Sequence, residues 1–265
     1  MRGGARAANL PAMTLVYDEA GTGAPVLLLH SSVCDRRMWD DQVPALVAAG
    51  FRTIRCDLRA FGDTPVSREP YRNIDDVRDL LDALGLDRLS VVGSSYGGGV
   101  ALEFAATWPQ RVDSLLLLCP AVPGIEPDPT QRAFGAREDE LIEAGDVAGA
   151  VVLNVDTWLG PDADEATRQR VATMQRRSFD VQLAAGDEMV NPTTPDIDLT
   201  RITARTLAVS GGHDLAGFRT GAAEAARLIP DAQHRELSWA GHFPNLERPA
   251  ETNDLIQEFL AGTGS

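Results

Sequence analysis

Four short runs of apolar residues, each ending in a polar or glycine-rich turn, set the rhythm of the first part of the chain. Val26-Leu27-Leu28-Leu29, Leu89-Ser90-Val91-Val92 and Ser114-Leu115-Leu116-Leu117-Leu118-Cys119 are nearly continuous in their hydrophobicity, the pattern of strands buried on both faces of a parallel sheet. Phe51 to Asp57 is the fourth candidate strand, and Met13 to Tyr17 predicts a first edge strand behind a loose leader over residues 1–12. Helical spacing fills the gaps. Trp39, Val43, Leu46 and Val47 share one face of a segment from Met38 to Ala49 that stops at Gly50. Asn73 is placed to cap a helix running through Val77, Leu80, Leu81 and Leu84 to Gly85, and Ala101 to Trp108 predicts another.

This alternation implies a parallel, doubly wound sheet with helices on both faces. From Pro120 to about Thr200 it stops, and helix-like segments near 130–144, 146–159 and 163–185 follow one another without a strong strand. Such a block reads as a helical cap inserted into the α/β pattern. Phe134, Leu153, Trp158, Met174, Phe179 and Leu183 are its main apolar residues, most of them expected in its core and a few against a pocket. Strands return at Thr206 to Ser210 and His234 to Leu237, with helices over Gly221 to Leu228 and Pro249 to Leu260. The expected organisation is therefore core over 1–119, cap over 120–200 and core again over 201–265.

Composition narrows the function. With 265 residues, 44% hydrophobic and 24% charged, the chain is in the ordinary globular range and long enough for a substantial core. No apolar stretch approaches the ~20 residues of a membrane span, and no signal-peptide core follows Met1, so a soluble, cytoplasmic protein is expected. A net charge of −15 argues against nucleic acid and anionic membrane as partners. All 24 basic residues are arginine, which removes Schiff-base lysine and phosphate-loop lysine chemistry. Cys34, Cys56 and Cys119 have no metal-type spacing and are expected as buried thiols in a reducing compartment.

The candidate chemistry starts at Gly93-Ser94-Ser95-Tyr96-Gly97. The spacing Gly93-x-Ser95-x-Gly97, between a strand and a helix, puts one serine at the apex of a tight turn, where a nucleophile is presented. Loops at the carboxyl ends of parallel strands share one edge of the sheet. Ser95, the turn His30 to Val33, Asp214 and His242 all follow predicted strands and should meet there. A serine hydroxyl needs an imidazole to take its proton, and the imidazole needs a carboxylate to hold its tautomer. Ser95, His242 and Asp214 supply these roles, and the backbone amides of Tyr96 and Ser32 would receive the oxyanion.

With these motifs in order, the chain resembles the α/β-hydrolase fold enzymes. The likeness spans about Val16 to Leu260 and adds Trp39 after the oxyanion turn, Asp57-Leu58-Arg59-x-Phe61-Gly62, Gly211-x-x-Asp214 and Gly241-His242-Phe243. Two positions depart from the usual family pattern: Ser31 and Ala60 stand where glycine is common. A positive φ at Ala60 would add strain of roughly 1 kcal/mol or more. The resemblance implies a serine hydrolase acting on an ester or lactone of a small, partly apolar molecule, similar to small bacterial esterases and the 3-oxoadipate enol-lactone hydrolase group, with no metal or organic cofactor. Carbon–carbon bond hydrolases, thioesterases, acyltransferases and cofactor-free perhydrolases keep the same triad, and a slow-turnover receptor is the rival from another class. Trp39, Ser94, Trp158 and Phe243 are the candidates to border the pocket, and the resemblance implies Glu126, shortly after the Ser114 to Cys119 strand, as an alternative acid, since some members of the family place the acid there. His30, Asp57 and Arg59 are expected to be structural, and His213 and His234 to lie on the surface.

Overall fold

The computed structural model describes residues 14–262; the leader over 1–12 and Met13 lie outside them. Seven strands form one sheet: β1 (Tyr17–Ala20), β2 (Ala24–Leu29), β3 (Phe51–Cys56), β4 (Leu89–Ser94), β5 (Val112–Leu118), β6 (Arg205–Gly211) and β7 (Ala232–Leu237). Their spatial order is β1-β3-β2-β4-β5-β6-β7, and every pairing is parallel except β1 with β3. The helices between strands are α1 (Gln42–Ala48), α2 (Asn73–Ala83) and α3 (Tyr96–Thr107), then α4 (Pro129–Glu143), α5 (Val147–Trp158) and α6 (Glu165–Ala185) inserted between β5 and β6. α7 (Ala216–Leu228) precedes β7, and α8 (Pro244–Glu247) and α9 (Pro249–Ala261) close the chain.

The continuous apolar runs make physical sense in this sheet. Leu27, Leu29, Val91, Leu115 and Leu117 point into one core layer, with residues of α2, α3 and α7. Val26, Leu28, Val92, Leu116 and Leu118 point into the other, with α1, α9 and the inserted helices. Side chains alternate across a strand, so burial on both faces requires hydrophobicity at every position. The polar edge strand β1 overlaps the expected Met13 to Tyr17 only at Tyr17 and continues to Ala20. Leu15 is buried, and Val16 is tied to the loop after β3: its amide donates to Thr64 Oγ1 at 2.8 Å and its carbonyl accepts from Asp57 N at 2.9 Å.

Asn73 also differs from expectation. Arg72 occupies the cap position of α2, and Asn73 Nδ2 instead donates to the Tyr96 hydroxyl at 2.6 Å, joining α2 to the start of α3. The segment from Met38 onward is split into a short 3-10 turn, Arg36–Trp39, and α1. Asp57, wholly buried, holds the loop that follows β3 by accepting from Arg36 N at 2.7 Å and Asp63 N at 2.8 Å and by pairing with the Arg36 guanidinium.

Ala60 sits in that loop with φ 71°, a left-handed conformation in which Cβ crowds the backbone. Ala60→Gly should therefore raise unfolding stability by about 1 kcal/mol, the relief of strain exceeding the extra chain entropy of glycine. Urea denaturation measures this, and a lower midpoint at unchanged slope would contradict it.

Candidate active site

Ser95 stands between the last residue of β4 and the first of α3 with φ 50° and ψ −113°, a strained conformation for a residue with a side chain. The surrounding chain determines that conformation. Ser95 N donates to Leu118 O at 2.9 Å, Gly97 N donates to His30 O at 3.0 Å, and Ala121 N and Gly99 N both donate to Ser95 O at 3.0 Å. The two flanking glycines are needed because helix and sheet nearly touch. A Cβ at Gly93 would lie 2.5 Å from Gly97 O, and one at Gly97 would run into the Leu29 carbonyl. Among the described residues Ser95 Oγ makes no hydrogen bond with a protein group, and the residue is buried.

His242 and Asp214 meet at the same edge. Asp214 follows β6, His242 follows β7, and His242 Nδ1 donates to Asp214 Oδ2 at 2.7 Å, with both side chains essentially out of contact with solvent. The other carboxylate oxygen accepts from Leu215 N at 2.7 Å. Donation from Nδ1 leaves Nε2 as the accepting nitrogen, the tautomer a general base requires. Three aromatic rings enclose the imidazole: Phe218, Trp158 and Phe243, at centroid distances of 4.3, 4.7 and 5.0 Å. The His242 backbone is fixed as well, its amide donating to Trp158 O at 2.7 Å.

Two neighbours of this pair carry no signal in a linear reading. Glu247 on α8 accepts from Gly241 N at 2.9 Å, Phe243 N at 3.2 Å and Gly160 N at 3.2 Å, bracketing His242. Burial raises its carboxyl above the usual glutamate value against those three bonds. Cys119, at φ 47°, places its thiol 3.8 Å from Gly241 O. Cys119, Asp214 and His242 are the one trio among the described residues whose potential metal-ligating atoms lie within 4.8 Å of one another. Burial and the Asp214 charge push the Cys119 thiol well above its ordinary value. The facing atoms of the other two are already joined to each other.

The Tyr96 and Ser32 amides have no protein acceptor among the described residues. Tyr96 N opens helix α3, where unpaired amides and the helix dipole favour negative charge. His30 shapes the turn that carries Ser32: Nε2 accepts from Leu58 N at 2.9 Å, Nδ1 lies 2.8 Å from Ser31 O, and burial lowers its basicity. His213 is exposed, and His234, on the surface of β7, bonds Ser210 Oγ at 2.9 Å.

A cavity of about 450 Å³ lies under the inserted helices, bounded by Ser32, Tyr96, Phe134, Glu138, Trp158 and Phe179 among others. Of the four residues expected at a pocket, Trp158 is there. Trp39, Ser94 and Phe243 are not. The 3-10 turn carries Trp39 wholly into the core, Ser94 ends β4 with its hydroxyl buried, and Phe243 backs the His242 ring. Glu126 is exposed on the loop after β5, and Asp214 holds the place beside His242. Arg59, expected to be structural, pairs with Asp76 at 2.6 and 2.8 Å and also lines the cavity. Glu138 is an addition. It accepts from Asn154 Nδ2, Asn154 Oδ1 accepts from Trp158 Nε1 at 2.8 Å, and burial raises the Glu138 carboxyl above its usual value.

The profile of the Alpha/beta hydrolase family matches residues 26–255. The chain is 30% identical to 2-hydroxy-6-oxononadienedioate/2-hydroxy-6-oxononatrienedioate hydrolase of Paraburkholderia xenovorans, over 93% of this chain and 90% of that protein. A thermophilic esterase from Thermogutta terrifontis superimposes with TM-score 0.77 at 26% identity, covering 95% of this chain and 94% of the other. The enol-lactonase from Burkholderia xenovorans gives TM-score 0.75 at 25% identity, with 93% and 96% covered.

The Glu247 contacts have a measurable consequence. Glu247→Ala leaves three amides beside His242 without their acceptor and should cost about 1–3 kcal/mol in denaturant unfolding. An unchanged midpoint would show that the loop does not depend on this carboxylate.

Proposed function

The chain belongs to the alpha/beta hydrolase family, and we propose that within it the protein is a serine hydrolase of small, partly apolar carboxylic esters or lactones. The 2.7 Å bond between His242 Nδ1 and Asp214, made at the sheet edge where Ser95 is thrust out at φ 50°, is the observation that supports this most. Ser95 Oγ attacks the carbonyl carbon and passes its proton to His242 Nε2. Asp214 stabilises the imidazolium through Nδ1, and the oxyanion is received by the Tyr96 and Ser32 amides. Collapse of the tetrahedral intermediate expels the alcohol, which takes the proton from Nε2 and, in a lactone, stays tethered to the acyl group. Water, deprotonated by His242, attacks the acyl carbon; the bond to Ser95 Oγ breaks, Oγ takes the proton back from Nε2, and the carboxylic acid is released.

The esterase and the enol-lactonase named above support the ester and lactone reading. Hydrolysis of a carbon–carbon bond is a second reading, supported by the 30% identity to the Paraburkholderia enzyme. A panel of p-nitrophenyl esters, lactones and a 2-hydroxy-6-oxodienoate separates the two by relative kcat/KM. The ligand in either case is a small acyl compound. The three unpaired, buried thiols support a reducing compartment.

A fluorophosphonate should label the protein once, and Ser95→Ala should abolish both labelling and turnover; labelling unchanged in Ser95→Ala would place the nucleophile elsewhere. Asp214→Asn should lower kcat about 10³–10⁴-fold, and Glu126→Gln should leave it within about twofold. The reverse pattern would transfer the acid role to Glu126.

A further inference from the structure

A second cavity, of about 390 Å³, shares Tyr96 and Thr194 with the first and is otherwise walled mainly by apolar residues such as Val100, Val122, Ile125 and Phe218, with Asn73 and Gln131 as its further polar side chains. Into this mostly apolar lining projects one carboxyl group, Glu103. It is the single acid of α3, a helix whose residues from Gly97 to Ala106 are all buried, and it is only 7% exposed. Thr194, also in the cavity wall, is the polar side chain that opposes its burial. Among the described residues no arginine forms an ion pair with it. Arg72, the cation whose field reaches it, is joined to Asp75 at 2.6 and 2.9 Å.

A carboxylate in apolar surroundings without a cation is costly, and proteins normally supply the partner themselves. Here the partner is missing on the side that faces an open cavity. We propose that this cavity is a second ligand site, built for an organic ammonium ion with an apolar body, whose charged end pairs with Glu103. The volume suits a ligand of this kind, and the aromatic residues Tyr96 and Phe218 stand in the wall. Phe218 also lies 4.3 Å from the His242 ring, so an occupant touches a wall that both sites share. The proposal does not depend on which residue is the nucleophile.

Linkage gives it a signature. Burial pushes the Glu103 carboxyl up to about 7 in the empty cavity, with Thr194 and Arg72 opposing that rise. The other groups facing it do not titrate near neutrality: Tyr96 at the head of its own helix, Asn73 from α2, Gln131 from α4 and Phe218 from α7. The turn Leu199–Arg201 packs on α3 through Leu199 and leaves Arg201 exposed. An ammonium ion prefers the ionised carboxylate, so its binding must expel a proton when the pH is below 7. Affinity should rise about tenfold from pH 6 to pH 8 and then level off.

Isothermal titration of the full-length Ser95→Ala protein with 2-phenylethylammonium, and with 2-phenylethanol as the uncharged isostere, tests this. Expected are binding of the ammonium at least tenfold tighter than the alcohol at pH 8, release of nearly one proton at pH 6, and the tenfold pH dependence. Glu103→Gln should lower the ammonium affinity at least tenfold and remove the pH dependence, whereas Glu138→Gln should change neither. Gly221→Leu, which extends a side chain toward Val122 in the cavity, should block binding with Glu103 intact and serves if Glu103→Gln does not fold. No ammonium binding, equal affinity for the alcohol, a flat pH profile, or loss of binding in Glu138→Gln in place of Glu103→Gln would each overturn the proposal.

Discussion

The close approach of α3 to the strand before it is the constraint on which the rest of the site depends. Gly93 and Gly97 let helix and sheet meet with no side chain between them, and the Gly97 amide is thereby tied to the His30 carbonyl. That contact forces Ser95 into a conformation most residues avoid. The cost is absorbed by the bonds around it, to Leu118 O, Gly99 N and Ala121 N, which link β5 and α3 to the serine. The same contact brings the β2 turn beside the head of α3, so the amides of Ser32 and Tyr96 come to one edge through backbone geometry alone.

Around that fixed point the partners are set by elements far apart in the chain. Asp214 comes from the end of β6 and His242 from the end of β7, and their pairing needs the parallel order of strands. The inserted helices do more than cover a cavity. Trp158 ends α5 by accepting the His242 amide on its carbonyl and packing its ring on the imidazole, while its indole N–H leads through Asn154 to Glu138. The insertion is thus fastened to the proposed base. Glu247 fastens the same loop from the other side.

Much of this could be read in the chain beforehand, and the reasons are local. A glycine-bracketed serine between a strand and a helix has a physical cause within five residues, and the ends of parallel strands must share an edge. The strain at Ala60, at φ 71°, was foreseeable from the family resemblance, in which glycine is common at that position, and not from the local pattern. Side chains whose role depends on packing between distant elements were not legible. Periodicity marks Trp39 and Trp158 as apolar alike, but only the packed insertion puts one in the core and the other on a cavity. Asn73 has the chemistry of a cap, yet the nearby Tyr96 hydroxyl takes its side chain. Glu103 sits in a run of good helix formers, and nothing in that run reveals that its neighbours in space are apolar.

The central claim is that Ser95 carries the acyl group during turnover. Rapid acid quench of the protein mixed with a p-nitrophenyl ester, followed by trypsin digestion and mass measurement, tests this directly. The acyl mass should appear on the peptide 89–111 at Ser95, rising with the burst of p-nitrophenol and absent from Ser95→Ala. Turnover with no acylated Ser95, or an acyl group on another residue formed at the burst rate, would contradict it.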